Sequence, residues 1–322
     1  MMHDPQGFPS PHGLPFLGYA ARMPDASACW SIASVAALVA AVAAVRGAIA
    51  ARGSTAVPAA AWAVAAAQAL AAETGVRAAG GLADPASAAA ARLVVVALGV
   101  CPAMSLLGAK RPQHGAWQFI VAALAVVVAL PALAATLVRP GTMPDVATPW
   151  RWFLLALVAV GWMNFAATRR GLAATLVAAG QGLLARDFLP FADLASGDPG
   201  AGLDALAACL VAAGAVLAAL PVARPTGAGT TWIDPPFLAL RETLGAAWAL
   251  RIAERFNAEA AARAWPCRLR FAGLDRGGAS DGPWRADAER AFRAIARRFA
   301  SPDWLRRHAA PAASMVTSDG TR

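Results

Sequence analysis

Apolar residues along the chain gather into seven dense runs, at about residues 28–45, 56–72, 86–109, 116–138, 152–168, 171–190 and 205–222. Each approaches the roughly 17–25 residues that a helix needs to cross a ~30 Å hydrocarbon layer, and charges inside them are few. The pattern predicts an all-α polytopic bundle of about seven transmembrane helices over residues 28–222. Two runs are weak: the second, AVPAAAWAVAAAQALAA, is mostly alanine, and the sixth is short before Arg186 and Asp187. Either one suits a re-entrant or interfacial segment as well as a span.

Beyond residue 222 the period changes. In WIDPPFLALRETLGAAWALRIAERFNAEAAARAW, Leu240, Leu244, Trp248, Ile252 and Phe256 recur every four residues, while Arg241, Glu242, Arg251, Glu254 and Arg255 fall mainly on other sides. Asp234 followed by prolines suits a helix start, so the pattern predicts an amphipathic helix. Its apolar face can dock on a protein partner, sink into the anionic inner leaflet, or pack within a small subdomain of its own. RLRFAGL alternates as a short strand does, an arginine-rich helix is expected near 286–299, and Ser301-Pro302-Asp303 should cap a last turn with Trp304. The domains read as a flexible tail over 1–27, the bundle over 28–222, a cytoplasmic helical region over 223–309 and a disordered end over 310–322. Met23, just before the first apolar run, is an alternative translation start.

Composition agrees with the membrane reading. The chain is 58% hydrophobic and 15% charged, against ~25% charged in soluble domains. A net charge of +9 would suggest nucleic acid in a soluble chain. Here the excess sits in short loops and the tail, which points to topology and the anionic leaflet instead. Loop one carries Arg46 and Arg52, loop three Lys110 and Arg111, and loop five Arg169 and Arg170, all without acids. The alternate loops hold Glu73, Asp84, Asp145, Asp187, Asp193, Asp198 and Asp204. From residue 223 onward there are 16 arginines and 10 acids. The positive-inside rule then places the odd loops and the tail in the cytoplasm and the N-terminus outside, which requires seven spans. Lys110, Arg111, Arg169 and Arg170 are the topology anchors. Arg92, inside run three, is expected to snorkel to the surface.

Candidate chemistry is sparse. Cys101 and Met104 lie three apart on one helix face, two soft ligands of the kind Cu(I) prefers, beside a kink at Pro102. A third ligand is missing, since His114 lies beyond the helix end. The competing reading is a hairpin: Cys101 as a small hydrophobe, Met104 as packing, and Pro112 and Gly115 as the turn. The polar intramembrane residues are Gln68, Asn164 and Gln181, with Ser105 and cysteines; they glue helices together or line a path for cargo. No acid sits mid-span, and H-E-x-x-H, P-loop and dinucleotide fingerprints are lacking, which disfavours ion-coupled carriers, intramembrane proteases and ATPases. The four cysteines, Cys29, Cys101, Cys209 and Cys267, form no C-x-x-C pair. No cofactor is expected. Trp30, Trp117, Trp150 and Trp152 fit an aromatic belt, and Trp62 and Trp162 lie deeper.

Two stretches, CPAMSLLGAKRPQHGAWQFIV and LRETLGAAWALRIAERFN with WPCRL after it, resemble a family of uncharacterised multi-spanning membrane proteins from planctomycete-type bacteria. The resemblance implies a bacterial inner-membrane location and carries over no catalytic residue. The expected function is that of a non-enzymatic subunit or scaffold of a membrane complex, with lipid and a protein partner at the tail. The alternative is a permease, or a metal- or haem-handling protein working at the Cys101-Pro102 kink.

Overall fold

The computed structural model describes residues 25–109, 114–192, 200–221, 232–280 and 282–309. The anchors Lys110 and Arg111 lie outside the described residues, as do residues 1–24 and 310–322 of the two terminal tails.

Seven helices occupy the seven apolar runs: α1 (Ala26–Ala50), α2 (Val57–Ala78), α3 (Pro85–Leu107), α4 (His114–Leu133), α5 (Thr148–Ala166), α6 (Gly171–Leu184) and α7 (Gly200–Ala219). Asp25 caps α1 by accepting from Ser27, so the helix begins inside the stretch read as a flexible tail. Asp84 caps α3 in the same way through Ser87; an oxygen at this position satisfies backbone N–H groups that the helix cannot. Pro131 removes a backbone donor late in α4, and the helix passes into a π turn at Ala134–Val138. Four helices are long and apolar enough to cross a membrane: α1, α3, α4 with its π turn, and α7. α6 has 14 residues, about 21 Å of helix, and reaches less far than its neighbours.

Six of the seven close a ring. α1 packs on α2 and α7, α2 on α3, α3 on α5, α5 on α6, and α6 on α7, while α4 sits outside the ring against α3. Small residues make the close contacts. Cys29, Ala33, Ala37, Ala40 and Ala43 face inward on α1, whereas Val35, Leu38, Val42 and Ile49 face out, Val42 being 64% exposed. This is the reverse of a water-soluble helix, and it is the arrangement in which lipid covers the large side chains and small ones let backbones approach. α6 and α7 cross at two glycines. A Cβ on Gly180 would lie 2.8 Å from the Ala207 carbonyl oxygen, and one on Gly214 would lie 2.8 Å from that of Ala173.

The tail region is a helical subdomain: α8 (Asp234–Leu244), α9 (Ala246–Ala262), a hairpin of β1 (Arg268–Arg270) and β2 (Gly273–Asp275), α10 (Trp284–Ala296) and α11 (Pro302–His308). The single amphipathic helix expected here is two. Gly245 adopts φ +85°, a conformation that glycine accepts without steric cost, and breaks the chain between α8 and α9. The four-residue apolar stripe runs through the break because both pieces press on one core. Leu240, Leu244, Trp248, Ile252 and Phe256 are all buried there with Phe237, Phe292 and Trp304, so the stripe is consumed within the chain itself. Ser301 caps α11 by accepting from Trp304 N–H.

This subdomain is fused to one end of the ring. Ala51, Ala56, Leu106 and Ala109 share its core. The loop between α1 and α2 pairs with residues 299–301: Thr55 N–H donates to the Phe299 carbonyl at 2.8 Å and Ser301 N–H to that of Gly53 at 2.7 Å. Trp248 Nε1 donates at 2.7 Å to Leu106, one of the last-turn carbonyls of α3 that lack a helical partner.

Candidate functional site: a cavity inside the helix ring

The ring surrounds a partly open cavity of about 680 Å3. Its walls are mainly alanine, valine and leucine from α1, α2, α3, α5, α6 and α7; α2 lines it from Ala59 to Leu70, about 17 Å along the helix. Pro102 lines it as well. Pro102 brings no N–H to the carbonyl one turn back, and nearby Gln181 Nε2 donates at 2.7 Å to the Gly99 carbonyl, tying α6 to α3 beside the irregularity. A second space of about 280 Å3, lined by α3, α5 and α6, shares Gly99, Pro102, Arg170 and Gln181 with the first and reaches Trp162, which is exposed on the ring's surface.

Each end of the cavity carries charge. One turn beyond Leu70 and next to Ala185 lies a buried ion network. Arg92, 3% exposed, donates from Nε to both oxygens of Glu73 at 2.9 Å and from Nη1 to Asp204 Oδ1 at 2.7 Å. Arg186 adds a 2.7 Å bond to the same Asp204 oxygen, and Arg77 reaches Glu73 at 3.0 Å while lying over the Trp30 ring. Arg92 therefore does not snorkel, and Glu73 and Asp204 are helix residues and not loop residues. The partners wait within reach at the same end of the ring, and pairing replaces the water a buried guanidinium would lose.

At the other end the tail closes the cavity with α8 and α11. Arg241 donates from Nε and Nη2 to Glu242 Oε1, at 2.9 and 2.7 Å, and from Nη1 to the Phe271 carbonyl at 2.8 Å. Arg169, Arg170, Glu242 and Trp304 also line this end. Glu242 is 4% exposed; its Oε2, Arg170 Nε and Trp304 Nε1 are buried with no hydrogen-bond partner among the described residues. Burial pulls the Arg170 guanidinium below its ordinary pKa, and the carboxylate of Glu242 pushes it back up.

The residues singled out in the sequence fall in several places. Gln181, Arg170 and Arg169 all line the cavity, Gln181 standing about 16 Å along α6 from Arg170. Asn164 instead clasps the helix break, donating to the Leu244 carbonyl and accepting from Ala247 N–H, both at 3.1 Å. Gln68 is on the exposed side of α2. Cys101 faces away from the cavity into a cluster with Val121 and Ala125, with Met104 at its edge, and its thiol donates to the Ala97 carbonyl at 3.2 Å. Among the described residues no three His, Cys, Asp or Glu side chains gather as a metal site would require.

The amphipathic pattern puts Arg241 and Glu242 on polar, outward sides, whereas the structure buries both. Adjacent opposite charges at a helix that ends in glycine were the signal available. Comparison with protein families, curated proteins and solved structures gives no match. The fold and its cavity thus define the class: a mostly helical protein with four membrane-length apolar helices and a polar-ended apolar chamber.

Proposed function

We propose that the chain is a multi-pass protein of the bacterial inner membrane, its seven bundle helices crossing with the N-terminus outside and the tail in the cytoplasm. We infer that it works without catalysis, as a permease-like carrier or receptor for a hydrophobic cargo. The supporting observation is the cavity. Its volume of about 680 Å3 falls within the ~300–1,000 Å3 typical of small-molecule sites, which are concave and mostly apolar with a few polar groups. The walls between its charged ends are apolar, which suits an apolar occupant, and the space reaching Trp162 offers it a route from the bilayer.

A second reading keeps the chain as a subunit of a membrane complex. It is favoured by α4, which packs mainly on α3 and, with its π turn, leaves Phe119, Leu130 and Leu137 exposed.

Reporter fusions at residues 79, 145 and 195 should all read outside the cytoplasm, and a reporter at 195 found inside would overturn the topology. For the cavity, purified protein in detergent should bind an apolar fluorophore. Ala63→Phe, which places a ring inside the chamber, should abolish that binding while the protein remains folded by circular dichroism. Unchanged binding would sink the carrier reading.

A further inference from the structure

Resting on that reading, we propose that the cargo is a single-chain amphiphile whose head carries both an anionic oxygen group and a hydroxyl, as in a lysophospholipid. The head sits at the tail end of the cavity, between Arg170, Glu242 and Trp304, and the chain runs along the alanine-lined wall of α2 toward Leu70.

The chemistry follows from what the cavity end leaves unpaired. Arg170 Nε and Trp304 Nε1 are buried donors without acceptors, and Glu242 Oε2 is a buried acceptor without a donor. A buried polar atom in that condition loses its hydration with nothing in return, so the three together describe the complement of a head group. Two acceptors and one donor are required. The charge points the same way: Arg170 and Arg241 line the cavity with Glu242 as the one acid among its described lining residues. Arg241 is already committed to Glu242 Oε1 and the Phe271 carbonyl. An anionic oxygen group answers Arg170, and a hydroxyl answers Glu242. Neutral alcohols lack the first, and plain fatty acids, ionised, lack the second. A water-soluble phosphate ester would leave the apolar length of the chamber unfilled. The second space, lined by α3, α5 and α6 beside the Pro102 irregularity, reaches exposed Trp162, and in the proposed topology that is the side from which a lipid chain would enter.

The test uses the full chain in detergent micelles, with the apolar fluorophore as reporter and four competitors: palmitoyl lysophosphatidylglycerol, palmitate, hexadecanol and glycerol 3-phosphate. Lysophosphatidylglycerol should displace the fluorophore best. Palmitate should be weaker and hexadecanol weaker again, with about a 10-fold step or more for a lost charge-assisted bond. Glycerol 3-phosphate should not compete. Arg170→Gln should weaken lysophosphatidylglycerol and palmitate about 10-fold or more and leave hexadecanol unchanged, an internal control for folding. Equal competition by lysophosphatidylglycerol and hexadecanol, or selectivity that survives Arg170→Gln, overturns the head-group assignment while leaving the carrier reading intact. Competition by glycerol 3-phosphate as strong as by the lipid overturns the amphiphile itself. Loss of fluorophore binding in the unmodified chain removes the carrier reading and this inference with it.

Discussion

Arg92 shows how a single side chain can decide the integrity of one end of the ring. It joins α3 to α2 through Glu73 and to α7 through Asp204, and both carboxylates are almost wholly buried. Removing one partner of such a group leaves charge without compensation, so Arg92→Met should cost roughly 3–5 kcal/mol, measured by unfolding in mixed detergent micelles. Wild-type stability in that variant would mean that water reaches the site. A second residue gives a pH signature. The side-chain and backbone hydrogen bonds from Ser87 hold the Asp84 carboxyl below the ordinary aspartate value of 3.8. The folded state therefore favours the carboxylate: the cap's contribution is present above 3.8 and is lost as pH falls through the lowered folded value. Asp84→Asn should melt earlier than wild type at neutral pH, and the two curves should converge in strong acid. Of these residues the sequence made the types visible and the distances invisible. Glu73, Arg92 and Asp204 are separated by up to 131 positions along the chain (204 minus 73), and only ring closure brings them within bonding range.

At the scale of elements, the apolar runs were legible because membrane crossing requires length and hydropathy, both of which are local. The tail was legible in part. Its four-residue stripe marked the buried face, but periodicity alone does not register a helix break that preserves the stripe, and Gly245 with Asn164 against it is such a break. The crossing of α6 and α7 has its own test. Gly180 and Gly214 are each met by the opposite helix's backbone, so Gly180→Val should force the pair apart at a cost of about 1–3 kcal/mol or more, read as a loss of stability in detergent. Gly182, on the same helix but with open space where a Cβ would stand, is the control: Gly182→Ala should be neutral or slightly stabilising. Equal effects at both sites would mean that the helices do not cross at Gly180.

The whole molecule is one unit from ring to tail. Ala51, Ala56 and Leu106 of the bundle lie in the same core as Phe237 and Trp304 of the tail, and the cavity is closed by α8 and α11. Truncation after residue 222 should therefore lower the temperature of thermal aggregation and abolish fluorophore binding together; a truncated protein that still binds would show the tail to be an appendage. Neither the ring nor its chamber was legible in the sequence, since hydropathy reports which segments avoid water and is silent on which of them touch. The pairing of residues 53–55 with residues 299–301 has a consequence for biogenesis. The ribosome makes the first of these segments long before the second, and at ~5–20 residues per second the interval is about 12–50 seconds. Throughout that time the turn of the first hairpin, cytoplasmic in the proposed topology, stands with its backbone unmatched. Completion of the fold is thus reserved for the finished polypeptide, and a nascent chain stalled before residue 299 is open to chaperones and proteases at the very turn that the mature protein hides.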